Sequence, residues 1–208
     1  MASQEQQLQP PPQQPPDDDV LVINKQLWIA SARGNHDQAA LALDQRADID
    51  WRNVNDFNRT PLYMAAAHGH ESIVRLLLDH RASANAADKD NLMPLHLAAR
   101  NGHESIVRLL LDRRADVHAT EKDNRTPLHH ASLDVHESIV RLLLDQRACI
   151  NAVTTMNDTP LHIAARKGHE SIVRVLLERG ADTTIESVRR LSCEGGGRRQ
   201  GSQSLTVA

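Results

Sequence analysis

Histidine is the residue type that most invites a chemical interpretation of this sequence. The chain has 12 histidines among 208 residues, and imidazole both ligates metals and transfers protons near neutral pH. Seven of them form two series with members 33 residues apart, His96, His129 and His162 in one and His70, His103, His136 and His169 in the other. Equivalent residues in successive repeat units cannot converge on one ion, because metal ligands lie about 2 Å from it. The spacing therefore favours a structural role over a metal site.

Other chemical motifs are missing from the sequence. There is no glycine-rich phosphate loop, no nucleophile elbow and no HExxH metal motif. Two cysteines, Cys149 and Cys193, lack a nearby partner, so neither a disulfide framework nor a zinc site is expected. Unpaired cysteines favour an intracellular location, in the cytoplasm, the nucleus or both. We predict no catalytic, cofactor-binding or metal-binding residue, and hence a protein that is not an enzyme.

Arginine also recurs every 33 residues, which could be mistaken for a phosphate-binding track. Each arginine has a glutamate four residues earlier, in the pairs Glu71 and Arg75, Glu104 and Arg108, Glu137 and Arg141, and Glu170 and Arg174. This order favours ion pairs along a helix. The net charge is −3, and no apolar run reaches the ~18 residues that would span a bilayer. We therefore expect neither nucleic acid nor a membrane as the partner.

The elements that carry these residues are two helices per repeat. The segment HESIVRLLLD occupies residues 70–79, 103–112 and 136–145, and HESIVRVLLE occupies residues 169–178. A Thr-Pro-Leu phrase, Met-Pro-Leu in one copy, comes before each of them. Threonine caps a helix start and proline suits its first turn, so this phrase begins helix one. The Ile, Val and Leu residues of the recurring segment give helix two an apolar stripe that needs neighbouring repeats to bury it.

The TPLHxAAxxGH phrase followed by an amphipathic helix resembles the ankyrin repeat family. The resemblance implies an all-α ankyrin-repeat solenoid of stacked helix-turn-helix units with β-hairpin-like finger loops. A degenerate first copy aligns at an offset of 35 residues, so we expect five repeats in an array spanning residues 20–185. Their predicted limits are 24–52, 53–85, 86–118, 119–151 and 152–185. We predict a disordered Gln/Pro-rich tail at residues 1–19 and a flexible Gly/Arg/Ser tail at residues 186–208.

The sequence departs from the family pattern at several turns. Asn58, Asn91, Asn124 and Asn157 stand where the family has a glycine at the finger tip, and asparagine tolerates the left-handed conformation. Arg46, Arg81, Arg114 and Arg147 replace the glycine after helix two, at about 1 kcal/mol each. Val135 replaces the glycine between the helices of the fourth repeat, which predicts a distorted turn. Met93 removes a helix cap.

In this family, partners commonly contact the finger tips and the exposed residues of helix one. Carried onto this chain, and with an aromatic of the long first finger added, the predicted partner-binding residues are Trp51, Phe57, Arg59, His68, Asp90, Leu92, Arg100, Asn101, Asp123, Arg125, Leu133, Asp134, Met156, Asp158, Arg166 and Lys167. Trp51 and Phe57 lie in the first finger, which has two extra residues, and aromatics are enriched in interface hot spots. Trp28 and Tyr63 occupy the slot of the first histidine series and are expected to pack internally.

These observations predict a non-catalytic protein–protein interaction module that presents a concave surface to another protein. Two alternatives stay open. One is a regulatory inhibitor or subunit that occludes an enzyme or transcription factor. The other is a scaffold that self-associates through an uncapped fifth repeat, although we expect a monomer apart from such end-to-end contacts. In the C-terminal tail, Ser192 after two arginines resembles a substrate site of basophilic protein kinases.

Overall fold

The computed structural model describes residues 18–188, and this part of the chain contains ten α-helices and no β-strand. The helices are α1 (Asp18–Arg33), α2 (His36–Asp44), α3 (Pro61–His68), α4 (Glu71–Asp79), α5 (Pro94–Arg100), α6 (Glu104–Asp112), α7 (Pro127–Leu133), α8 (Glu137–Asp145), α9 (Pro160–Lys167) and α10 (Glu170–Glu178). Each consecutive pair packs as a helical hairpin, and the hairpins stack in chain order. The predicted all-α solenoid is confirmed.

The helices form two rows. Each odd-numbered helix packs on the next odd-numbered helix, and each even-numbered helix packs on the next even-numbered one. The row of first helices is the more closely packed, because a fully buried alanine lies at its centre in each repeat, as at Ala65 and Ala98. Closer spacing on one side curves the stack toward that side. The first helices and the fingers therefore line the concave surface.

One apolar core runs through the whole array between the rows. Three positions of each full repeat contribute a fully buried large side chain, as Leu62, Ile73 and Leu77 do in the second repeat. The equivalents in the next repeat, Leu95 and Ile106 among them, belong to the same cluster. A single helical hairpin cannot bury such a stripe alone, so each repeat depends on its neighbours.

The helix starts follow the predicted capping chemistry. The Thr60 hydroxyl accepts a hydrogen bond from the Tyr63 backbone N–H at 3.2 Å, and Pro61 is the first residue of α3. Met93 makes no side-chain cap hydrogen bond, as expected. Helix α1 lacks the Thr-Pro phrase and extends back to Asp18, two residues before the predicted start of the array. Its acidic first turn complements the helix dipole.

The predicted left-handed residues are confirmed at both kinds of turn. The four arginines after helix two have φ between 62° and 69°, and Gly180, at φ 84°, occupies the same place in the fifth repeat. The four finger-tip asparagines have φ between 58° and 63°. Both turns thus keep the geometry that glycine would give.

The turn of the fourth repeat is distorted, as Val135 predicts. In the second, third and fifth repeats the histidine that follows this turn donates its backbone N–H to an alanine of helix one at 3.0 Å, as from His70 to Ala65. In the fourth repeat the N–H of His136 instead donates to the Asp134 carbonyl at 2.8 Å. Asp134 itself is extended, with φ −119° and ψ 164°. A β-branched residue disfavours positive φ, so the chain leaves α7 in an extended conformation.

At the far end, residues 186–188 continue the finger pattern beyond the predicted limit at 185. Adjacent fingers are joined by one backbone hydrogen bond per repeat, from Lys89 to Phe57, from Lys122 to Asp90 and from Thr155 to Asp123, at 2.9 to 3.0 Å. Val188 donates to Met156 in the same way at 3.0 Å. Residues 1–17 and 189–208 lie outside the described part, and with them most of both predicted tails and Ser192.

Candidate protein-binding surface

In the third and fourth repeats the first histidine series joins helix one to the repeat that follows. The Thr126 backbone N–H donates to Nδ1 of His129 at 3.1 Å, so Nε2 carries the proton and donates to the Asp158 carbonyl at 3.1 Å. His96 likewise accepts from the Met93 backbone N–H, and its Nε2 donates to the Ala119 carbonyl, both at 3.1 Å. Burial lowers the pKa of His129 to about 4 and also lowers that of His96. These rings are neutral structural links, as the spacing indicated.

The second histidine series contacts the C-terminal end of helix one in the preceding repeat. Nε2 of His136 contacts the Arg100 carbonyl at 3.0 Å, and Nε2 of His169 contacts the Leu133 carbonyl at 2.9 Å. The ring of His136 also covers Gly102, where an added Cβ would lie 2.5 Å from Cε1. Glycine is therefore needed at that turn for space as well as for its φ of 78°.

His130 is a buried histidine that belongs to neither of the two repeated series. Its exposure is 4%, and neither ring nitrogen has a hydrogen-bond partner in the described part of the chain. Burial, with added repulsion from His96, Arg100 and Arg125, lowers its pKa to about 3. Its ring meets that of His96 edge-on, with the centroids 5.6 Å apart. Since the equivalent residues Met64, Leu97 and Ile163 are apolar, a comparison of the repeats would have revealed a polar group in a core slot.

The first finger is wider than the others and presents Phe57. In the later fingers the closing hydrogen bond spans four residues, as from Asp88 to Leu92, but here it runs from Asn53 to Arg59 at 3.1 Å. The two extra residues put both Phe57 (φ 51°) and Asn58 in the left-handed region. A bulky residue there is a conformational outlier. Phe57 remains 51% exposed, which makes it available to a partner.

Arg59 supports this finger from beneath. Its guanidinium lies 5.1 Å from the centre of the Phe57 ring and 5.2 Å from that of Tyr63. It pairs with Asp56 at 3.0 Å and with the buried Asp88 at 3.7 Å. Burial and the Asp88 carboxylate raise the pKa of Tyr63 to about 12, so the phenol stays neutral. The predicted contact residue Arg59 is therefore already engaged within the protein.

Trp28 and Tyr63 pack internally, as expected. The indole N–H of Trp28 donates to the Arg59 carbonyl at 3.1 Å, and Tyr63 is buried. Trp51 is half-buried in the same finger region. The aromatic side chain that this finger offers most openly is thus Phe57.

Six predicted residues come together in a groove between the third and fourth fingers, which belong to the fourth and fifth repeats. Its lining includes Asp123, Arg125, Leu133, Met156, Asp158 and Arg166. Ile163 and His130 also line it. Met156 is 60% exposed, so a large flexible apolar side chain lies at the surface of the groove. Two fingers and two first helices converge here.

Within this groove Asp158 is engaged by Arg166 of the same repeat and by Ser187 just after it. Arg166 donates to both carboxylate oxygens, at 3.0 and 2.8 Å, and the Ser187 hydroxyl donates to Oδ1 at 2.5 Å. Burial opposes the ionisation of Asp158, but these hydrogen bonds outweigh it and hold its pKa below the usual value. Asp158 is buried, so it serves to fix Arg166 rather than to face a partner.

The other predicted residues are spread along the concave surface outside this groove. His68 contacts the Met64 carbonyl at 2.8 Å, and Asn101 donates to the Ala67 carbonyl at 2.7 Å. Asp90 pairs with Lys122 at 3.5 Å, and Leu92 is half-buried. His68, Arg100, Asn101, Asp134 and Lys167 are exposed.

The charged ladder on the outer row follows the predicted pairing in three repeats. Arg75, Arg108 and Arg141 lie 2.9, 2.6 and 2.8 Å from their glutamates. Among residues 18–188 no group of three or more His, Cys, Asp or Glu side chains is arranged to hold a metal ion. None of the helices over the same range is long and apolar enough to cross a membrane.

Comparison with known proteins agrees with this architecture. A family model described as Ankyrin repeats (3 copies) matches residues 27–121 and 113–187. The Ankyrin repeat and KH domain-containing protein mask of Drosophila melanogaster is 39% identical over 64 residues, which are 31% of this chain and 2% of that protein. The chain therefore spans only a small part of that relative. Because the family model matches well over half of the chain, the protein belongs to the ankyrin repeat family.

Proposed function

We propose that this protein binds another protein through the concave surface formed by its fingers and first helices. Ankyrin repeats generally mediate protein–protein interaction. The observation that carries the proposal is the groove between the third and fourth fingers, where the exposed Met156 lies beside Leu133 and Ile163. Phe57 adds a second exposed apolar side chain on the first finger. A preformed surface of this kind binds with a low ordering cost.

The test is capture of partners from cell extract by crosslinking, followed by mass spectrometry. We expect the double variant Phe57→Ala/Met156→Ala to lose partners that the unaltered protein retains, because truncating exposed anchors removes binding energy. Leu41→Ala is the matched control, since Leu41 is equally exposed, at 57%, but lies on α2 in the outer row. Equal recovery with both variants would reject the concave surface as the binding site.

Whether the protein merely holds its partner or inhibits it is a finer question. A regulatory inhibitor would occlude the active or DNA-binding surface of the partner. The activity of each recovered partner, measured with and without added protein, distinguishes the two roles. Loss of activity that Phe57→Ala/Met156→Ala relieves would identify an inhibitor.

A second candidate function, end-to-end self-association, is favoured by the exposed face of the fifth repeat. Nε2 of His162 is buried and has no partner within residues 18–188, whereas His96 and His129 each contact the next repeat. A Cβ added at Gly168 would meet nothing within 4 Å, and Leu177 is 44% exposed. Sedimentation velocity over a range of concentrations tests this candidate. A sedimentation coefficient that stays at the monomer value throughout would reject it.

We place this activity inside the cell, in the cytoplasm or the nucleus. The supporting observation is Cys149, a free and exposed thiol, because such thiols persist in reducing compartments. Localisation of a fluorescent fusion tests this part of the proposal. Secretion of the fusion would contradict it.

A further inference from the structure

Two positions face each other on the concave side of every full repeat, one on the finger and one at the end of helix one. In the fifth repeat they are Asp158 and Arg166, which form a two-pronged ion pair. The same two positions, 33 residues earlier in each step, hold Arg125 and Leu133 in the fourth repeat and Leu92 and Arg100 in the third. In the third and fourth repeats, which we call the middle repeats, one of the two positions is therefore an arginine and the other a leucine.

In the second and fifth repeats, the arginine found at one of these two positions is already paired with a carboxylate within the protein. Arg166 is bound by Asp158 at 2.8 Å. At the other end, Arg59 in the second repeat is held by Asp56 and Asp88. These arginines have little to gain from an external carboxylate.

The two middle arginines are different. Arg100 and Arg125 are both exposed, and neither makes an ion pair with any residue in the described range. Arg125 lines the same groove as the buried His130, and Arg100 occupies the helix-one position of the preceding repeat. Of the nearby carboxylates, Asp90 is paired with Lys122 at 3.5 Å. Asp123 lies at the finger tip, and Asp134 lies beyond the end of α7. Neither carboxylate pairs with Arg100 or Arg125, so within the described range both arginines are free to bind an external carboxylate.

Resting on the proposed function, we propose that the concave surface of the third and fourth repeats binds an acidic partner segment in which carboxylates alternate with apolar side chains. The carboxylates bind Arg100 and Arg125, and the apolar side chains lie on Leu92, Leu133 and the neighbouring Met156. Arginine presents paired donors that match a carboxylate. Because the two cations stand diagonally across two leucines, a purely charged segment satisfies only half of the surface.

A defined peptide probe tests the partner chemistry directly. The probe is a short fluorescein-labelled peptide of repeated Glu-Glu-Leu-Ser units, compared by fluorescence anisotropy with versions carrying Lys or Gln in place of Glu. We expect the Glu peptide alone to bind, and its affinity to fall as salt rises, because exposed charge pairs are screened. The variant Arg100→Gln/Arg125→Gln should weaken binding at least about tenfold.

The matched control is Arg108→Gln/Arg174→Gln, which removes the same charge from helices α6 and α10 in the outer row. It should change the affinity by less than about twofold. All four arginines are exposed, so circular dichroism should show the same helical content in every variant. Equal binding of the Lys peptide, full binding by Arg100→Gln/Arg125→Gln, or no binding of the Glu peptide would overturn the inference.

Failure here is distinguishable from failure of the proposed function. If partners from cell extract depend on Phe57 and Met156 but not on Arg100 and Arg125, the concave surface still binds protein and only the acidic chemistry is wrong. If recovery is insensitive to all four residues, both proposals fall.

Discussion

At the scale of single residues, the arginines after helix two hold a backbone conformation that glycine adopts more easily. Arg147 has φ 63° and is exposed, so its side chain has little packing to lose. We expect Arg147→Gly to raise the free energy of unfolding by about 0.5 to 1 kcal/mol, because a left-handed residue with a Cβ is strained. Urea unfolding checks this value. Arg108→Gly, inside α6, is the control and should lower stability by a similar amount.

His130 places two unpartnered nitrogens in the core, and a leucine, as found at 97, fits the same slot. We expect His130→Leu to raise the free energy of unfolding by about 1 to 3 kcal/mol, because it removes buried polar atoms that lack hydrogen bonds. The control is His118→Leu, since His118 is exposed. A loss of stability in His130→Leu at pH 7 would show that the imidazole makes contacts worth more than its desolvation costs.

The stability of the array should also depend on pH through its buried histidines. The pKa is about 4 for His129 and about 3 for His130 in the folded protein, against about 6.5 in the unfolded chain. Below pH 6.5 the unfolded chain binds protons that the folded protein does not, so stability falls as the pH drops toward 3. Urea unfolding at pH 7, 6 and 5 measures the decline. His130→Leu should make it shallower, and an unchanged slope would contradict the assignment.

Several residue-scale features were predictable and one was not recognised. The left-handed arginines and asparagines followed from the repeat pattern, because four copies place them where glycine normally stands. The environment of His130 depends on the ring of His96, which lies one repeat away in sequence and 5.6 Å away in space. Only a comparison of its slot across repeats could have signalled burial.

At the scale of elements, the extended exit from α7 follows from Val135. We expect Val135→Gly to restore the hydrogen bond from the His136 N–H to helix one, because glycine can adopt the left-handed turn. Hydrogen exchange at the His136 amide should slow by about tenfold. The exchange rate at His103, whose turn already has glycine, serves as the internal control. Unchanged exchange at His136 would show that Val135 is not the cause of the distortion.

The contact between glycine and histidine predicts unequal effects of one substitution at two equivalent turns. Gly102→Ala puts a Cβ 2.5 Å from His136, whereas the same change at Gly168 meets nothing within 4 Å. Both carry the strain of a left-handed alanine, about 1 kcal/mol. Gly102→Ala should cost about 1 to 3 kcal/mol more. Thermal or urea unfolding of the two variants would contradict this contact if their losses were equal.

Some helix boundaries could be predicted from local sequence signals and others could not. Helix two was located in every full repeat because its acidic first residue and its apolar period are explicit. Helix α1 begins at Asp18, inside the segment predicted as a tail, because nothing in the Lys25-Gln26 phrase stops a helix from extending backward. The wide first finger was anticipated from its two extra residues, but the left-handed Phe57 was not, since that conformation arises from closing the loop.

At the scale of the whole molecule, the fold followed from the 33-residue period, whereas the arrangement of the candidate surface did not. The period placed the fingers on one side, and six predicted residues do share a groove. The sequence did not show which of these residues pair with each other. Asp158 and Arg166 form an ion pair although eight positions separate them in the chain. That ion pair engages two predicted contact residues with each other, whereas Arg100 and Arg125 make no ion pair within residues 18–188.

The last finger hydrogen bond, from Val188 to Met156, has a consequence for how such a protein can lengthen. The fifth repeat keeps three features that interior repeats use to contact the next repeat. Space beside Gly168 is open, and the buried Nε2 of His162 has no partner within residues 18–188. The finger already forms the backbone hydrogen bond from Val188 to Met156. A copy of residues 156–188 joined after Val188 keeps the period, brings the copy of His169 to Gly168, and offers Nε2 of His162 a backbone carbonyl like that of Asp158. Tandem duplication can therefore add repeats at this end without redesigning an interface, and each added repeat supplies a new, freely varying stretch of concave surface.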